Sequence, residues 1–418
     1  MRRVRCTRPN FPVGIRDQEP KMGLSQEAKT ITAENGQITS AEEPTEVQLQ
    51  VIKDRDEFSS LAEEWDSFVS RAFNNNPFYL HFWFDNYLTA FYPNSQPLTV
   101  LVRDESGQLI GLAPMVSSQR KMAGLSLKEA RLIAGEHSHI NGLLIRKDQP
   151  FLWHRIVEAI LKEGVDLIYL EDLPDEFPSQ RFIEDYCTRK KMFLECHSLR
   201  QSPYIPSTGT FEDYRKTALS KKFRELLNNR RNRLKKHGEY RIESITGIVD
   251  FDKTIEAMRK ISVKSWQHEN GTGLFTTPEC EQFYTDLMRH ALDNQYGQVH
   301  ILYIESDPAA YEFHIIHQTT EYCLKVEYDQ NYSKLSPGGV LDLELVMRAF
   351  ESDIETYDLL GDASDYKLRW TKDTVPYYRY FAFGRTAAAR LASMANYKIG
   401  NVLRKSTILM KIKNSLSG

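Results

Sequence analysis

The stretch YDQNYSKLSPGGVLDLELVMRAF, residues 328–350, contains the passage from a strand to a helix on which the fold assignment depends. The strand ends near Asp329, and apolar residues recur at helical spacing from Val340 onwards. The loop between them contains Ser336, Pro337, Gly338 and Gly339. Glycines let the backbone approach a ligand, and the first helical turn leaves amides unpaired at a positive dipole end. The pattern therefore predicts a cradle for an anionic ligand such as a pyrophosphate, although an ordinary turn before a helix fits the same letters.

A second informative segment, LLGDASDYKLRW at 359–370, follows the next predicted strand. Gly361 allows the chain to turn, and the side chains gathered after it are Asp362, Tyr366, Lys367 and Trp370. Ligands of α/β sheets bind beyond the carboxyl ends of the strands, so this cluster and the glycine loop should face one crevice. Lys367 is either a cation for a phosphate or carboxylate, or a solvated surface lysine.

Together these segments resemble the C-terminal half of GNAT-fold acyltransferases, specifically the double-GNAT branch called CelD-like or FemAB-like. The residues that carry the resemblance are Ser265, Trp266, Asp329, Ser336, Pro337, Gly338, Leu341, Gly361, Tyr366, Lys367 and Trp370. The resemblance implies two tandem GNAT-like domains, the second of which binds an acyl-CoA cosubstrate, with acetyl-CoA as the first choice. It also implies a role in polysaccharide biosynthesis, and it suggests Trp266, Asp362 and Trp370 as acceptor contacts.

One segment departs from the usual GNAT pattern. SKLSPGG stands where many GNAT domains have the acyl-CoA loop Q/R-x-x-G-x-G/A. FemAB-like relatives use aminoacyl-tRNA as the donor instead of an acyl-CoA. The resemblance therefore leaves two donors open.

The order of predicted elements occurs twice along the chain, as strand, two helices, hairpin, strand, helix and strand. The copies cover residues 46–205 and 238–385, and together they predict an α/β (α+β) fold of mixed sheets covered by helices. Residues 1–45 are polar and are expected to form a disordered leader. Residues 206–237 should form a basic helical connector, and 386–418 a basic amphipathic tail. The first copy has no glycine pair at the matching loop, so a phosphate ligand is expected in the second.

Composition restricts the possible classes of function. The 418 residues carry 54 Lys+Arg against 57 Asp+Glu, so any argument for nucleic-acid or membrane binding must rest on a local segment. No apolar run reaches the roughly 18 to 20 residues of a membrane span. The 5 cysteines form no CxxC pair, which favours a reducing, cytoplasmic compartment over a disulfide framework.

Acyl transfer from a thioester needs a base for the nucleophile and an acid for the leaving thiolate. Strand alternation puts Glu312 and His314 on one face of one strand, and Glu327 and Asp329 on one face of the next. Either pair can supply the base, or these groups are edge carboxylates and a packed histidine. Tyr366 is the candidate acid, since a phenol with a pKa of about 10 can return a proton to sulfur.

Two further patterns are weaker candidates for chemistry. Cys323 could form an acyl-cysteine with His314 or His317 nearby, but direct transfer needs no such intermediate. The HSH motif at 137–139 brings two imidazoles together without a third ligand, so no metal is predicted and a loop role is favoured.

The predicted function is that of an acyl-CoA-dependent N- or O-acyltransferase of the GNAT type. Its acceptor would be a sugar-linked or other small polar molecule, or a glycan, in polysaccharide or envelope biosynthesis. One alternative is a transferase whose aminoacyl-tRNA is held by the basic helix from Arg215 to Lys236. Another is a non-catalytic scaffold of a polysaccharide assembly. Residues 386–418, the basic amphipathic tail, could contact the inner face of a membrane, above all in the scaffold hypothesis.

Overall fold

The computed structural model describes residues 5–7, 47–72, 75–146, 149, 152–175 and 179–396. The strands are β1 (Arg5–Thr7), β2 (Gln48–Ile52), β3 (Thr99–Arg103), β4 (Leu109–Ala113), β5 (Met115–Met122), β6 (Leu125–Leu132), β7 (Leu144–Ile145), β8 (Leu167–Pro174), β9 (Phe193–Pro206), β10 (Tyr240–Ile245), β11 (Gly297–Ile304), β12 (Asp307–His317), β13 (Thr320–Tyr328), β14 (Thr356–Asp358) and β15 (Thr374–Phe383). The helices are α1 (Arg55–Ser59), α2 (Ala62–Val69), α3 (His81–Phe91), α4 (Leu152–Lys162), α5 (Ser179–Arg189), α6 (Phe211–Thr217), α7 (Lys221–His237), α8 (Phe251–Ser262), α9 (Trp266–Glu269), α10 (Pro278–Asp293) and α11 (Pro337–Phe350).

The strands form two mixed or antiparallel sheets covered by helices. The larger sheet is 11-stranded, in the order β10-β11-β12-β13-β14-β9-β15-β8-β6-β5, with β1 paired to β9. The smaller sheet is 4-stranded, in the order β2-β3-β4-β7. Parallel pairs such as β13 with β14 occur among antiparallel ones. The predicted fold class is therefore confirmed.

The two halves of the chain are joined through the larger sheet by β9 and β15. β9 pairs with β15 along most of its length, and its last residues, Tyr204–Pro206, pair with β14. β15 lies between β9 and β8, so the last strand of the segment 238–385 extends a sheet that begins with strands of the first half. Hydrogen-bonded strands therefore hold the halves together.

The basic segment between the halves forms α7, and its boundaries follow from local chemistry. Ser220 is the N-cap and its side chain accepts a hydrogen bond from the amide of Phe223, while Gly238 ends the helix. Phe223, Leu227 and Leu234 are buried on one face. Phe223 and Leu227 share an apolar cluster with residues of α11, so α7 covers the second half rather than bridging solvent.

The predicted leader and tail fall mostly outside the described residues. Within 1–45 the structure describes only Arg5–Thr7, a strand parallel to β9. Residues 387–396 are helical, and the rest of the predicted tail lies outside the description. In this helix Ala389 and Ala392 are buried, while Leu391 and Met394 are exposed. Among the described residues, no helix has the length and apolarity needed to cross a membrane.

Candidate active site

The larger sheet opens between β13 and β14. The two strands pair in parallel at only three positions, the last of which joins Tyr322 to Asp358. β13 continues to Tyr328, whereas β14 ends and the chain turns away through Leu360 and Gly361, both with positive φ. The opening therefore lies at the carboxyl ends of two parallel strands, where α/β sheets bind ligands.

The first turn of α11 borders this opening. Ser336 is the N-cap in a left-handed conformation, Pro337 is the first helical residue, and no side chain caps the helix. The amides of Gly338 and Gly339 therefore have no capping side chain, and the positive end of the helix dipole lies with them. A Cβ atom added at Gly338 would lie 3.6 Å from the ring of Tyr328, which is ordinary contact. The predicted glycine loop thus has the form of an anion cradle.

Cations from α7 and from the segment after β14 surround the cradle. A methyl group at Gly339 would collide with the guanidinium of Arg230, so the glycine makes room for this side chain. Burial lowers the pKa of Arg230, the carboxyl group of Asp342 opposes that shift, and Arg369 and Arg233 add to it. Arg230 thus lies beside Gly339 at the start of α11, within electrostatic range of Arg369 and Arg233. Positive charge at this place suits an anionic ligand.

The segment that follows β14 lies across the opening from α11. Lys367 donates a hydrogen bond of 2.6 Å to the carbonyl oxygen of Leu360 and thereby closes the turn at Gly361. Burial lowers the pKa of Lys367. Tyr366 is 43% exposed, and the Lys367 ammonium lies 5.8 Å from its ring centroid. Asp362 is exposed beside them.

Glu312 and His314 lie in a buried chain of polar groups beneath α11. Nε2 of His314 is 2.9 Å from Glu312, and Nδ1 is 2.6 Å from Glu321. Arg348 donates to Glu321 at 2.9 Å. Burial opposes protonation of His314, but hydrogen bonds from its two ring nitrogens to the carboxylates of Glu312 and Glu321 outweigh burial, and its pKa lies well above the usual value. The histidine is therefore a cation whose two N–H groups are both used, and it lacks the lone pair of a base.

The same buried group of polar side chains sets the protonation state of Cys323 and contains the candidate metal ligands. Burial raises the pKa of Cys323 to about 12, so its sulfur is a neutral thiol, and it donates to Glu312 at 3.4 Å. Among the described residues, the groups able to hold a metal all include His314, with Glu312 and Cys323 or with His300 and Glu321. His314 and Arg348 occupy Glu321 and one oxygen of Glu312, whereas the other oxygen of Glu312 is buried without a hydrogen-bond partner.

Glu327 and Asp329 lie at the end of β13, where both have several partners. Glu327 is 3% exposed and accepts four hydrogen bonds. The donors are the hydroxyls of Ser262, Ser265 and Tyr311 and the amide of Leu274, at 2.7 to 2.8 Å. Asp329 caps the 3-10 helix Gln330–Leu335 and forms an ion pair of 3.0 Å with Lys264. Both carboxylates thus hold neighbouring segments in place.

The two tryptophans predicted as acceptor contacts have opposite environments. Trp370 is 3% exposed and meets the ring of Phe223 edge to face at a centroid distance of 5.1 Å. Trp266 is 44% exposed on the short helix α9. Only Trp266 can therefore offer its ring to a ligand without repacking the protein.

Sequence reasoning missed a cluster of charged side chains around Arg200, which joins β8, β9 and the loop at His139. Asp172, near the end of β8, is 6% exposed and forms an ion pair of 2.9 Å with Arg200 of β9. Arg200 also donates to the carbonyl oxygen of His139 at 2.6 Å. Burial raises the pKa of Asp172 to about 7, and Asp362 adds to this effect although Arg200 opposes it. A carboxyl group with a pKa near neutrality can accept and release protons at physiological pH.

Cations from the second half act on this cluster. His139 has a pKa well below the usual value, first because of burial and then because of Arg200, Lys325 and Lys367. Lys325 and Lys367 therefore lie within electrostatic range of the His139 ring. No local pattern marks these side chains as a group, because they come from a loop and three separate strands or turns. Only their positive charge was visible in the sequence.

The comparisons with known proteins agree with this geometry. Residues 221–368, from the start of α7 to the residue after Lys367, match the family model described as an acetyltransferase (GNAT) domain. This segment is a GNAT-type acetyltransferase domain, and the chain is an acyltransferase. The comparison with curated proteins gives no match.

Two solved structures with TM-scores of 0.50 share the fold over nearly the whole described chain. FemX has a TM-score of 0.50 at 10% identity, over 78% of this chain and 96% of that chain. L-PGS from Bacillus licheniformis has a TM-score of 0.50 at 12% identity, over 82% and 97%. The C-terminal domain of a putative lysylphosphatidylglycerol synthetase from Agrobacterium fabrum has a TM-score of 0.49 at 12% identity, over 81% and 96%. At such identities the likeness concerns the fold alone.

Proposed function

We propose that the chain transfers an acyl group from an acyl-CoA to an amine or hydroxyl of a sugar-linked or other small polar acceptor. The observation that carries the proposal is the uncapped start of α11, flanked by Arg230, at the opening between β13 and β14. The diphosphate of coenzyme A would accept hydrogen bonds from the amides of Gly338 and Gly339 and pair with Arg230. Its pantetheine arm would then enter the opening of the sheet.

The thioester would lie beside a bulge in β13. In the ladder between β12 and β13, Lys325 pairs with Phe313 and Cys323 with His314, so the register skips Leu324. A skipped residue has an amide that the ladder does not use, and such an amide can donate to the carbonyl oxygen as negative charge develops there. The ammonium of Lys325 supports the same charge.

The acceptor would lie beside the cluster around Arg200. Arg200, Lys325 and Lys367 favour an acceptor with a negatively charged or strongly polar group, and the exposed ring of Trp266 provides a stacking surface of the kind sugars use. Asp172 would take the proton of the attacking amine or hydroxyl, because its pKa of about 7 suits that role. A sugar-linked acceptor also fits the role in polysaccharide or envelope biosynthesis implied by the family resemblance.

The proposal is tested by calorimetry and turnover with the full chain. Coenzyme A should bind in the micromolar to millimolar range, and a panel of acyl-CoAs with candidate amino sugars should release free thiol. Acetyl-CoA is the first donor to test. If the intact chain binds neither coenzyme A nor any acyl-CoA, the donor assignment is wrong.

An aminoacyl-tRNA donor is the second candidate, and exposed cations on α7 favour it. Lys221, Lys222, Arg233, Lys235 and Lys236 are all exposed. If they contact phosphates, tRNA binding should fall steeply with salt, because each neutralised phosphate releases counterions. Filter binding to total tRNA at low and moderate salt tests this candidate, and absence of retention at low salt would eliminate it. The Lys235→Gln/Lys236→Gln variant removes two of these cations, so it should bind tRNA more weakly and with a shallower dependence on salt than the wild type.

A further inference from the structure

A second cluster of reactive side chains lies where α10 meets the first half, outside the donor cradle. Cys280 is the third residue of α10, and its sulfur is 3.2 Å from Nε2 of His137. Nδ1 of the same imidazole is 3.2 Å from the hydroxyl of Tyr284. A thiol, an imidazole and a group that orients the imidazole thus follow one another at hydrogen-bonding distance. This is the arrangement of a nucleophile with its base.

The imidazole is held in a fixed orientation and in its neutral form. The ring of Phe91, from α3 in the first half, stacks on His137 at a centroid distance of 5.0 Å. Burial, assisted by the charge of Lys325, lowers the pKa of His137 to about 4. At neutral pH the ring is uncharged, and in the tautomer with its proton on Nδ1 the lone pair of Nε2 faces the sulfur of Cys280; with a pKa of about 4 the ring holds the thiol proton only transiently, while the sulfur attacks.

Two positively charged features lie near the sulfur of Cys280. The thiol lies in the first turn of a 16-residue helix, whose amide end attracts anions. The ammonium of Lys325 lies 4.8 Å from the ring centroid of Tyr284, and it interacts with Cys280 as well. Lys325 also borders the bulge at Leu324, so the thiol and the proposed thioester position are both close to one side chain. Cys280 is 8% exposed, and His137 is half-buried.

We infer that Cys280 is a nucleophile that receives the acyl group from the donor before the acceptor does, with His137 as its base. In the first step the Cys280 thiol gives its proton to His137, and the sulfur attacks the donor carbonyl. The bond between that carbonyl carbon and the sulfur of coenzyme A breaks, and His137 protonates the departing thiolate. The products are a thioester on Cys280 and free coenzyme A.

In the second step the acceptor attacks the Cys280 thioester. Asp172 takes the acceptor's proton and releases it to water, the new amide or ester forms, and the bond to Cys280 breaks. The sulfur regains a proton from water through His137. No oxidant, reductant or additional group is needed. The inference rests on the proposed acyl-CoA function and adds a covalent intermediate to it.

The test starts from donors that bind by calorimetry, so that failure of the donor assignment is seen separately. Each such acyl-CoA is incubated with the full chain without acceptor, quenched in acid, and analysed by intact mass and peptide mapping. The inference expects one acyl group on Cys280 that neutral hydroxylamine removes. It also expects exchange of labelled coenzyme A into acyl-CoA without acceptor, which direct transfer cannot produce.

Three variants make the result specific. Cys280→Ala should abolish the adduct and the exchange, and alanine is tolerated within a helix. His137→Gln should slow adduct formation by about 100-fold or more, the usual size of a base effect. Cys187→Ala, which removes a buried thiol of α5, is the control and should behave as the wild type. If a donor binds but Cys280 remains unmodified, or if Cys280→Ala turns over acceptor at the wild-type rate, the covalent step is refuted while the acyltransferase function stands.

Discussion

The substitution Gly338→Asp is the sharpest test of the anion cradle at the start of α11. Position 338 has room for a side chain, because an added Cβ would meet Tyr328 only at 3.6 Å. An aspartate in the first turn of a helix interacts favourably with the dipole, by about 0.3–1 kcal/mol. The variant should therefore fold at least as well as the wild type. Any loss of donor binding then reports on charge rather than on unfolding.

The size of the effect follows from the distance between like charges. A carboxylate at position 338 would lie about 4 Å from a phosphate oxygen bound to the neighbouring amides. Two unit charges at this distance repel by about 1 kcal/mol in water and about 4 kcal/mol at an effective dielectric constant of 20. Since about 1.4 kcal/mol corresponds to a factor of ten in affinity, coenzyme A should bind about tenfold to a thousandfold more weakly.

The assay is isothermal titration calorimetry with two ligands. Coenzyme A should lose affinity for Gly338→Asp, whereas pantetheine, which lacks the diphosphate, should bind the variant and the wild type equally. Gly338→Ala is the matched control and should retain coenzyme A binding within a few-fold. Unchanged coenzyme A affinity in the aspartate variant, or an equal loss for pantetheine, would refute the proposed position of the diphosphate.

Four other substitutions test the rest of the site. Arg230→Gln should weaken coenzyme A binding by about tenfold to a hundredfold, because it removes one charge-assisted contact of about 1.5–3 kcal/mol. The same titration measures this loss, and pantetheine binding should not change. Asp172→Asn should remove the rise of kcat/KM with pH near 7. Asp172 should also make the wild type more stable to heat as the pH falls from about 7 towards 4. In that range the carboxyl group of the native protein binds a proton, whereas the carboxyl group of the unfolded chain, with its usual pKa, does not. Trp370→Ala should cost about 3–5 kcal/mol of unfolding free energy in a denaturant titration, whereas Trp266→Ala, at an exposed position, should cost less than about 1 kcal/mol and raise KM for the acceptor. A flat pH profile in the wild type, or equal costs for the two tryptophans, would contradict the roles assigned to them.

The sequence predicted the fold class because its signals are local. YRIESI alternates as a strand and forms β10, and the glycines after Pro337 do begin a helix. Alternation also put Glu312 and His314 on one face, where they are now seen to bond to each other. The alternation of apolar and polar residues does not specify which strands lie next to each other in the sheet. The insertion of β15 between β9 and β8 therefore could not be predicted from the letters.

The candidate site was predictable on the donor side and not on the acceptor side. The donor side depends on one continuous segment, in which Ser336 and the glycines carry a recognisable pattern. The acceptor side depends on His137, Asp172 and Cys280, which lie far apart in the sequence and meet only through the sheet. The HSH motif at 137–139 was visible in the sequence, but it gives no signal of the cysteine 143 positions after His137 that this histidine contacts. Tertiary packing, rather than any motif, created that pair.

The shared sheet also restricts how the two sides of the site can move relative to each other. β9 carries Arg200, the partner of Asp172, and four residues later the same strand pairs Tyr204 with Asp358 at the edge of the donor opening. Four residues of strand span about 13 Å, and their backbone is held by hydrogen bonds to β15. Asp172, the proposed base, contacts β9 through Arg200, and the strand β14 beside the proposed thioester position pairs with the same β9. The two positions are thus linked through a hydrogen-bonded strand and not through a flexible connector. A hinge between the halves would have to break this pairing, so catalysis is expected to proceed without a change in their relative orientation.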